Sequence, residues 1–181
     1  MQPQLFYDYI VSIPIGLLAD WPGIMIPDTE EARVMLMAIA GQESNWDARR
    51  QQGGPARSYY QFEGSGGGLG EVFAGMPNQL RAVCDALDIP FDQATVFEAM
   101  AWNGILQTCM ARFLLWCGNP NPLPAYGASK DAYVYYDSIW RPGSKRPQDW
   151  PHNYTTAQSC VEHFKKHGPT PPGSLTGSTV G

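Results

Sequence analysis

A chain of 181 residues, 44% hydrophobic and 12% aromatic, holds enough apolar material for one packed domain and too little for two full ones. A formal net charge of -5 argues against a nucleic-acid partner, since phosphate binding needs clustered Lys and Arg and the nearest approach to a cluster is the doublet Lys165-Lys166. A neutral glycan is bound through aromatic faces and hydrogen bonds instead, and 6 Trp, 9 Tyr and 7 Phe leave that class of partner open.

The first stretch, MQPQLFYDYIVSIPIGLLAD, is apolar but has no basic n-region, and Asp8, Pro14 and Asp20 interrupt it. It predicts neither a signal peptide nor an integral membrane segment. A short helix is expected from Leu5 to Leu18, limited or bent by Pro14. The next helix has a clearer start. Asp28 and Glu31 stand at capping-box spacing, and Val34, Met37, Ala38 and Gly41 follow on one face, widened by Leu36, Ile39 and Ala40. This helix is apolar over most of its surface and belongs at the centre of the domain. Glu43 lies one turn past Ile39 and Ala40.

From Ser44 to about Gly70 the sequence reads as loop. Gly53-Gly54-Pro55 marks a turn, and Gly64 to Gly68 a flexible or close-approach stretch. The aromatic insert Tyr59-Tyr60-Gln61-Phe62 makes this long loop functional rather than disordered. Helices are expected again at Gly70–Phe73, Pro77–Leu87 and Gln93–Trp116, the last ended by Pro120, Pro122 and Pro124. Two more are expected at Ser129–Trp140, stopped by Pro142-Gly143, and at Thr155–His167. Residues 1–167 form the expected domain and residues 168–181 a mobile C-terminal tail without core-forming residues. Cys84, Cys109, Cys117 and Cys160 show no C-x-x-C and no metal-ligand spacing with histidine, so they read as buried thiols, with no metal and no cofactor expected.

A carboxylate at the end of a buried helix has two opposed readings. Either it is solvated where the chain leaves the core, or the helix carries it to the floor of a cleft. There, partial burial raises its pKa until it can donate a proton near neutral pH. The partial negative charge at the helix C-terminus pushes the same way. Glu63, beyond the aromatic insert, is either a second catalytic carboxylate or a loop residue in solvent.

Glu43-Ser44, the element Arg57-Ser58-Tyr59-Tyr60-Gln61, and Ala101-Trp102-Asn103-Gly104 resemble, in order and spacing, the three motifs of the soluble lytic transglycosylase and goose-type lysozyme superfamily. The strings GQES, GGPARSYYQFE, AWN, ARFLLW and WRPG are similar to those of lysozyme-like proteins of tailed bacteriophages, and the likeness runs from about Ala32 to Gly143. Trp102 stands where tyrosine is usual, and Ser-Tyr-Tyr-Gln replaces Gly-Leu-Met-Gln.

The resemblance implies a mainly α, lysozyme-like single domain whose long active-site loop can carry a small β-hairpin. It also implies a substrate, the glycan strand of peptidoglycan, cut between N-acetylmuramic acid and N-acetylglucosamine with Glu43 as general acid and base. Glu63 would activate water from the opposite side. Ser44 either orients Glu43 or bonds a terminal helix carbonyl. Gln61 and Asn103 offer amides to sugar N-acetyl groups, unless they are structural amides. Tyr59, Tyr60 and Trp102 can stack on sugar faces or pack in the core, and Arg57 can hold a substrate carboxylate or stay solvated. The family tyrosine near the reacting sugar is sought in the cluster Tyr133, Tyr135, Tyr136 and Trp140, with Tyr135 preferred to Tyr136. On this reading the protein is made in the cytoplasm of a phage-infected bacterium. It reaches the wall through a holin-type membrane pore or within the virion. The competing readings are a non-catalytic virion or wall-binding protein on the same scaffold, and a chitin-cleaving enzyme.

Overall fold

The computed structural model describes residues 1–64, 67–143 and 145–171, and the chain is mainly helical, with no strand among them. Residues 3–20 form one continuous rod: α1 (Pro3–Phe6), a π-helical turn (Tyr7–Val11) and α2 (Ser12–Asp20). The rod outruns the expected Leu5–Leu18 at both ends, and Pro14 does not stop it. Having no amide, Pro14 withholds the donor that would bond the carbonyl of Ile10. The Thr108 hydroxyl donates to that carbonyl instead, at 2.8 Å.

Helix α3 (Glu30–Ser44) is the axis of the molecule, with every residue from Val34 to Gln42 buried. Its cap differs from the sequence expectation. Thr29, not Asp28, accepts the Ala32 amide, at 3.2 Å, while Asp28 takes the Arg33 guanidinium through two bonds of 2.6 and 2.5 Å. Asn45 closes the helix in the left-handed conformation, with φ of 53°. That short polar side chain tolerates the geometry best among non-glycine residues, and it turns the chain sharply just beyond Glu43.

Helices α4 (Gly67–Gly75) and α5 (Pro77–Ala86) pack on α7 (Gly104–Cys117), α6 (Gln93–Ala99) packs on α4, and α7 lies against the axis. The single helix expected over Gln93–Trp116 is two helices, broken at Met100–Asn103. Asn103 caps the second, its Oδ1 accepting the Leu106 amide at 3.0 Å. Helix α8 (Ser129–Trp140) has the expected bounds, and α9 (Trp150–His167) starts ahead of the expected Thr155 and lies along α3.

The loop between α3 and α4 holds two isolated antiparallel bridges, Arg50 with Arg57 and Arg57 with Phe62, in place of a hairpin. Within the glycine run, residues 65 and 66 lie outside the described residues. Gly68 is a close approach, because a Cβ there would stand 3.0 Å from Leu114 Cδ2. The start of the expected tail is docked: the Tyr9 hydroxyl donates to the Thr170 carbonyl at 2.7 Å, and the Thr170 amide donates to Asp8 Oδ2 at 2.8 Å. Residues 172–181 lie outside the described residues. The four cysteines are free thiols, with Cys84, Cys109 and Cys160 buried. No helix among the described residues is long and apolar enough to cross a membrane.

Candidate active site

The end of α3 projects Glu43 onto the wall of an open groove of about 630 Å³. The loop supplies Gln61, Phe62 and Glu63 to the groove, α7 supplies Leu114, and α8 supplies Ile139 and Trp140. Arg141 to Gly143 and Arg146, which follow α8, also line it, with Gln51, Ala56 and Gly68. The site therefore depends on three elements far apart in sequence meeting at the last turn of α3.

Glu43 is half-buried, and burial pushes its carboxyl up to about 7, with the Glu63 carboxylate adding to the push. Two groups oppose it. The Tyr136 hydroxyl donates to Glu43 Oε1 at 2.5 Å, and the Arg146 guanidinium favours the ionised form. Desolvation wins, so the carboxyl is divided between its acid and base forms near neutral pH.

Tyr136 is fixed from both sides. Its ring stacks on Trp150 at 5.0 Å between centroids and on Trp140 at 6.3 Å. Burial and the adjoining carboxylate hold its phenol far above the usual range, so it remains a donor throughout the physiological span. The backbone beside Glu43 is held as firmly. Gln42 Nε2 donates to the Arg146 carbonyl at 2.9 Å, Asn153 Nδ2 donates to Gln42 Oε1 at 2.9 Å, and Arg146 Nη2 donates to the Gln42 carbonyl. Behind the helix, Trp46 packs against Gly41 and donates from Nε1 to the Met37 carbonyl at 2.9 Å.

The sequence-derived candidates divide sharply. Glu43, Glu63 and Gln61 share the groove. The Gln61 amide donates to the carbonyls of Ser58 and Ala48, at 2.8 and 3.2 Å, which leaves its oxygen as the atom open to a ligand. Ser44 is buried and donates to the Ala40 carbonyl at 2.9 Å, the helix-terminal alternative of its two readings. Tyr59 and Tyr60 are core residues, with their hydroxyls on Arg49 and Thr108. The Tyr60 carbonyl still serves the site, because it accepts Trp140 Nε1 at 3.0 Å and so sets the indole in the groove wall.

Three other candidates lie outside the groove lining. Trp102 is 67% exposed and carries the Arg50 guanidinium on its ring, 4.9 Å from the centroid. Asn103 is the cap of α7. Arg57 lies over Phe97 and pairs with Glu98 through contacts of 3.2 and 3.1 Å, so a carboxylate within the chain holds the guanidinium expected to take a ligand carboxylate. The tyrosine at the acid is Tyr136, not Tyr135. The Tyr135 hydroxyl donates to the Leu115 carbonyl at 3.1 Å, on another side of α8.

Sequence reasoning missed Arg146, Gln42 and the placement of Trp140. For Trp140 a signal was present: Tyr133, Tyr136 and Trp140 recur at helical spacing, which groups them on one face apart from Tyr135. Arg146 sits in an irregular segment, where no periodicity could assign it a partner. Comparisons with family models, with curated proteins and with solved structures find no match to this chain.

Proposed function

We propose that this protein is a lysozyme-like enzyme that cleaves the β-1,4 bond between N-acetylmuramic acid and N-acetylglucosamine in peptidoglycan, with Glu43 as general acid and then general base. The observation that carries this reading is a half-buried carboxyl, poised at about 7, on the wall of an open groove of about 630 Å³. Protonated Glu43 gives its proton to the glycosidic oxygen as the bond to C1 breaks, and positive charge develops on the ring carbon and oxygen. The carboxylate left behind takes a proton from the incoming nucleophile. Water as nucleophile gives a reducing end; the C6 hydroxyl of the muramic acid residue gives a 1,6-anhydro sugar.

Other features of the groove fit a glycan. Trp140 brings an aromatic ring to the lining and the Gln61 oxygen accepts from an amide or hydroxyl, beside the charged side chains of Glu43, Glu63, Arg141 and Arg146. Glu63 stands in the same groove; in an inverting hydrolysis it, in place of Glu43, would take the proton from the attacking water. Delivery to the wall through a membrane pore, or as part of a phage particle, belongs to the same proposal.

The test is mass spectrometry of fragments released from purified peptidoglycan by the wild-type protein and by Glu43→Gln. Muropeptides appearing with the former and absent with the latter support the proposal, and a mass lower by one water identifies the anhydro product. Sedimentation with the glycan and no released fragment at any pH would instead make the protein a wall-binding scaffold.

A further inference from the structure

A second cavity, of about 650 Å³, lies on the other side of the α7–α8 pair from the Glu43 groove. The adjacent residues Leu114 and Leu115 of α7 divide between the two, and α8 gives Ile139 to the first and Tyr135 to the second. The second has walls of Pro27, Leu115, Pro122 and Leu123, and one cationic group, Arg112.

Arg112 is 2% exposed. Of its guanidinium nitrogens, Nη2 donates to the Pro27 carbonyl at 3.0 Å, while Nε and Nη1 are buried without a hydrogen-bond partner among the described residues. A fork of five N–H groups left this incomplete is unusual, because a buried charge without an acceptor carries a large desolvation cost. Burial pulls the group down to about 10, with Tyr135 and Asp28 opposing, and it therefore stays cationic at neutral pH. The nearest acids do not relieve it. Asp28 is bonded to Arg33, and Glu31 lines the cavity without bonding to Arg112. Trp116 covers the guanidinium at 5.3 Å from its ring centroid, an attraction that supplies no acceptor in the plane of the fork. That indole is 49% exposed at the last turn of α7 and lines the cavity beside Arg112.

We infer that this cavity binds a small organic carboxylate once the Trp116 indole turns aside, an oxygen of its anionic end accepting from Nη1 of Arg112 and its apolar body against Pro27, Leu115 and Pro122. A carboxylate oxygen takes a charge-assisted bond from the guanidinium, and the proline and leucine walls suit an aliphatic body. The inference is independent of the role given to Glu43.

N-acetyl-leucine and N-acetyl-leucinamide, which differ in charge but hardly in shape, are titrated into the full chain while the Arg112 Nε–H resonance is followed by NMR. The acid is expected to move that resonance and to bind about tenfold or more tightly than the amide. Arg112→Met is expected to abolish this difference. Equal binding of the two probes, binding of neither, an unmoved Arg112 resonance, or undiminished acid binding by Arg112→Met would each overturn the inference. The wild-type arms decide the matter even if Arg112→Met fails to fold.

Discussion

The Tyr136 hydroxyl meets Oε1 of Glu43 at 2.5 Å, joining α8 to the last turn of α3 across the groove wall. The bond favours the carboxylate against the burial that favours the acid, so Tyr136 tunes the proton affinity of Glu43 as well as its direction. Tyr136→Phe removes the donor and leaves the ring stack. The pH at which the alkaline limb of activity falls is then expected to move upward, with a loss of roughly tenfold at the optimum. A pH-rate profile on purified peptidoglycan reads both effects. Tyr135→Phe, which removes a bond to the Leu115 carbonyl, should leave the profile in place.

The Glu43 carboxyl also makes folding depend on pH. Its pKa rises from the usual 4.5 to about 7 in the folded chain, so its contribution to stability is complete below about 4.5 and is lost as pH climbs through about 7. Relative to wild type, Glu43→Gln should therefore gain stability between pH 4 and pH 8, by up to about 3 kcal/mol. Urea unfolding of both proteins across this range measures the gain. A constant difference would mean that the carboxyl titrates normally.

Asn103 separates a structural amide from a ligand-binding one. As the cap of α7 it should cost about 1 kcal/mol of stability when replaced by alanine, with KM unchanged. Thermal unfolding and steady-state kinetics on the same preparation test this. A raised KM at unchanged stability would return Asn103 to the substrate.

Gly41→Ala probes the backing of the site. The added Cβ would fall 2.4 Å from Trp46 Cζ2 and 3.0 Å from Asn153 Oδ1, so the indole must shift. A loss of about 1–3 kcal/mol is expected, visible as a lower urea midpoint, together with weaker activity as the turn after Glu43 moves.

The central helix and its terminal carboxylate were legible because apolar side chains at helical spacing ran up to Glu43 and then stopped. The acid's partner was harder to read. Tyr135 and Tyr136 differ by one position, and choosing between them requires knowing which side of α8 faces α3 and which faces the second cavity, a matter of packing rather than local pattern. Trp102 and Asn103 look like site residues in sequence because an aromatic ring and an amide also serve in binding. Here one lies exposed under Arg50 and the other ends a helix. The break before Asn103 did carry a local sign, an asparagine ahead of a glycine and an apolar run, but the continuous apolar content on both sides masked it. Arg146 and Gln42 find each other only through the path of the chain after α8.

Thr108 gives the opening rod a part in the site that its distance from Glu43 conceals. The same hydroxyl that takes up the carbonyl released by Pro14 lies 3.3 Å from the Tyr60 hydroxyl, and the Tyr60 backbone anchors Trp140. Trimming residues 3–20 to reach a minimal active fragment would strip the cover from α7, leave Thr108 searching for an acceptor, and loosen the indole at the far end of this relay.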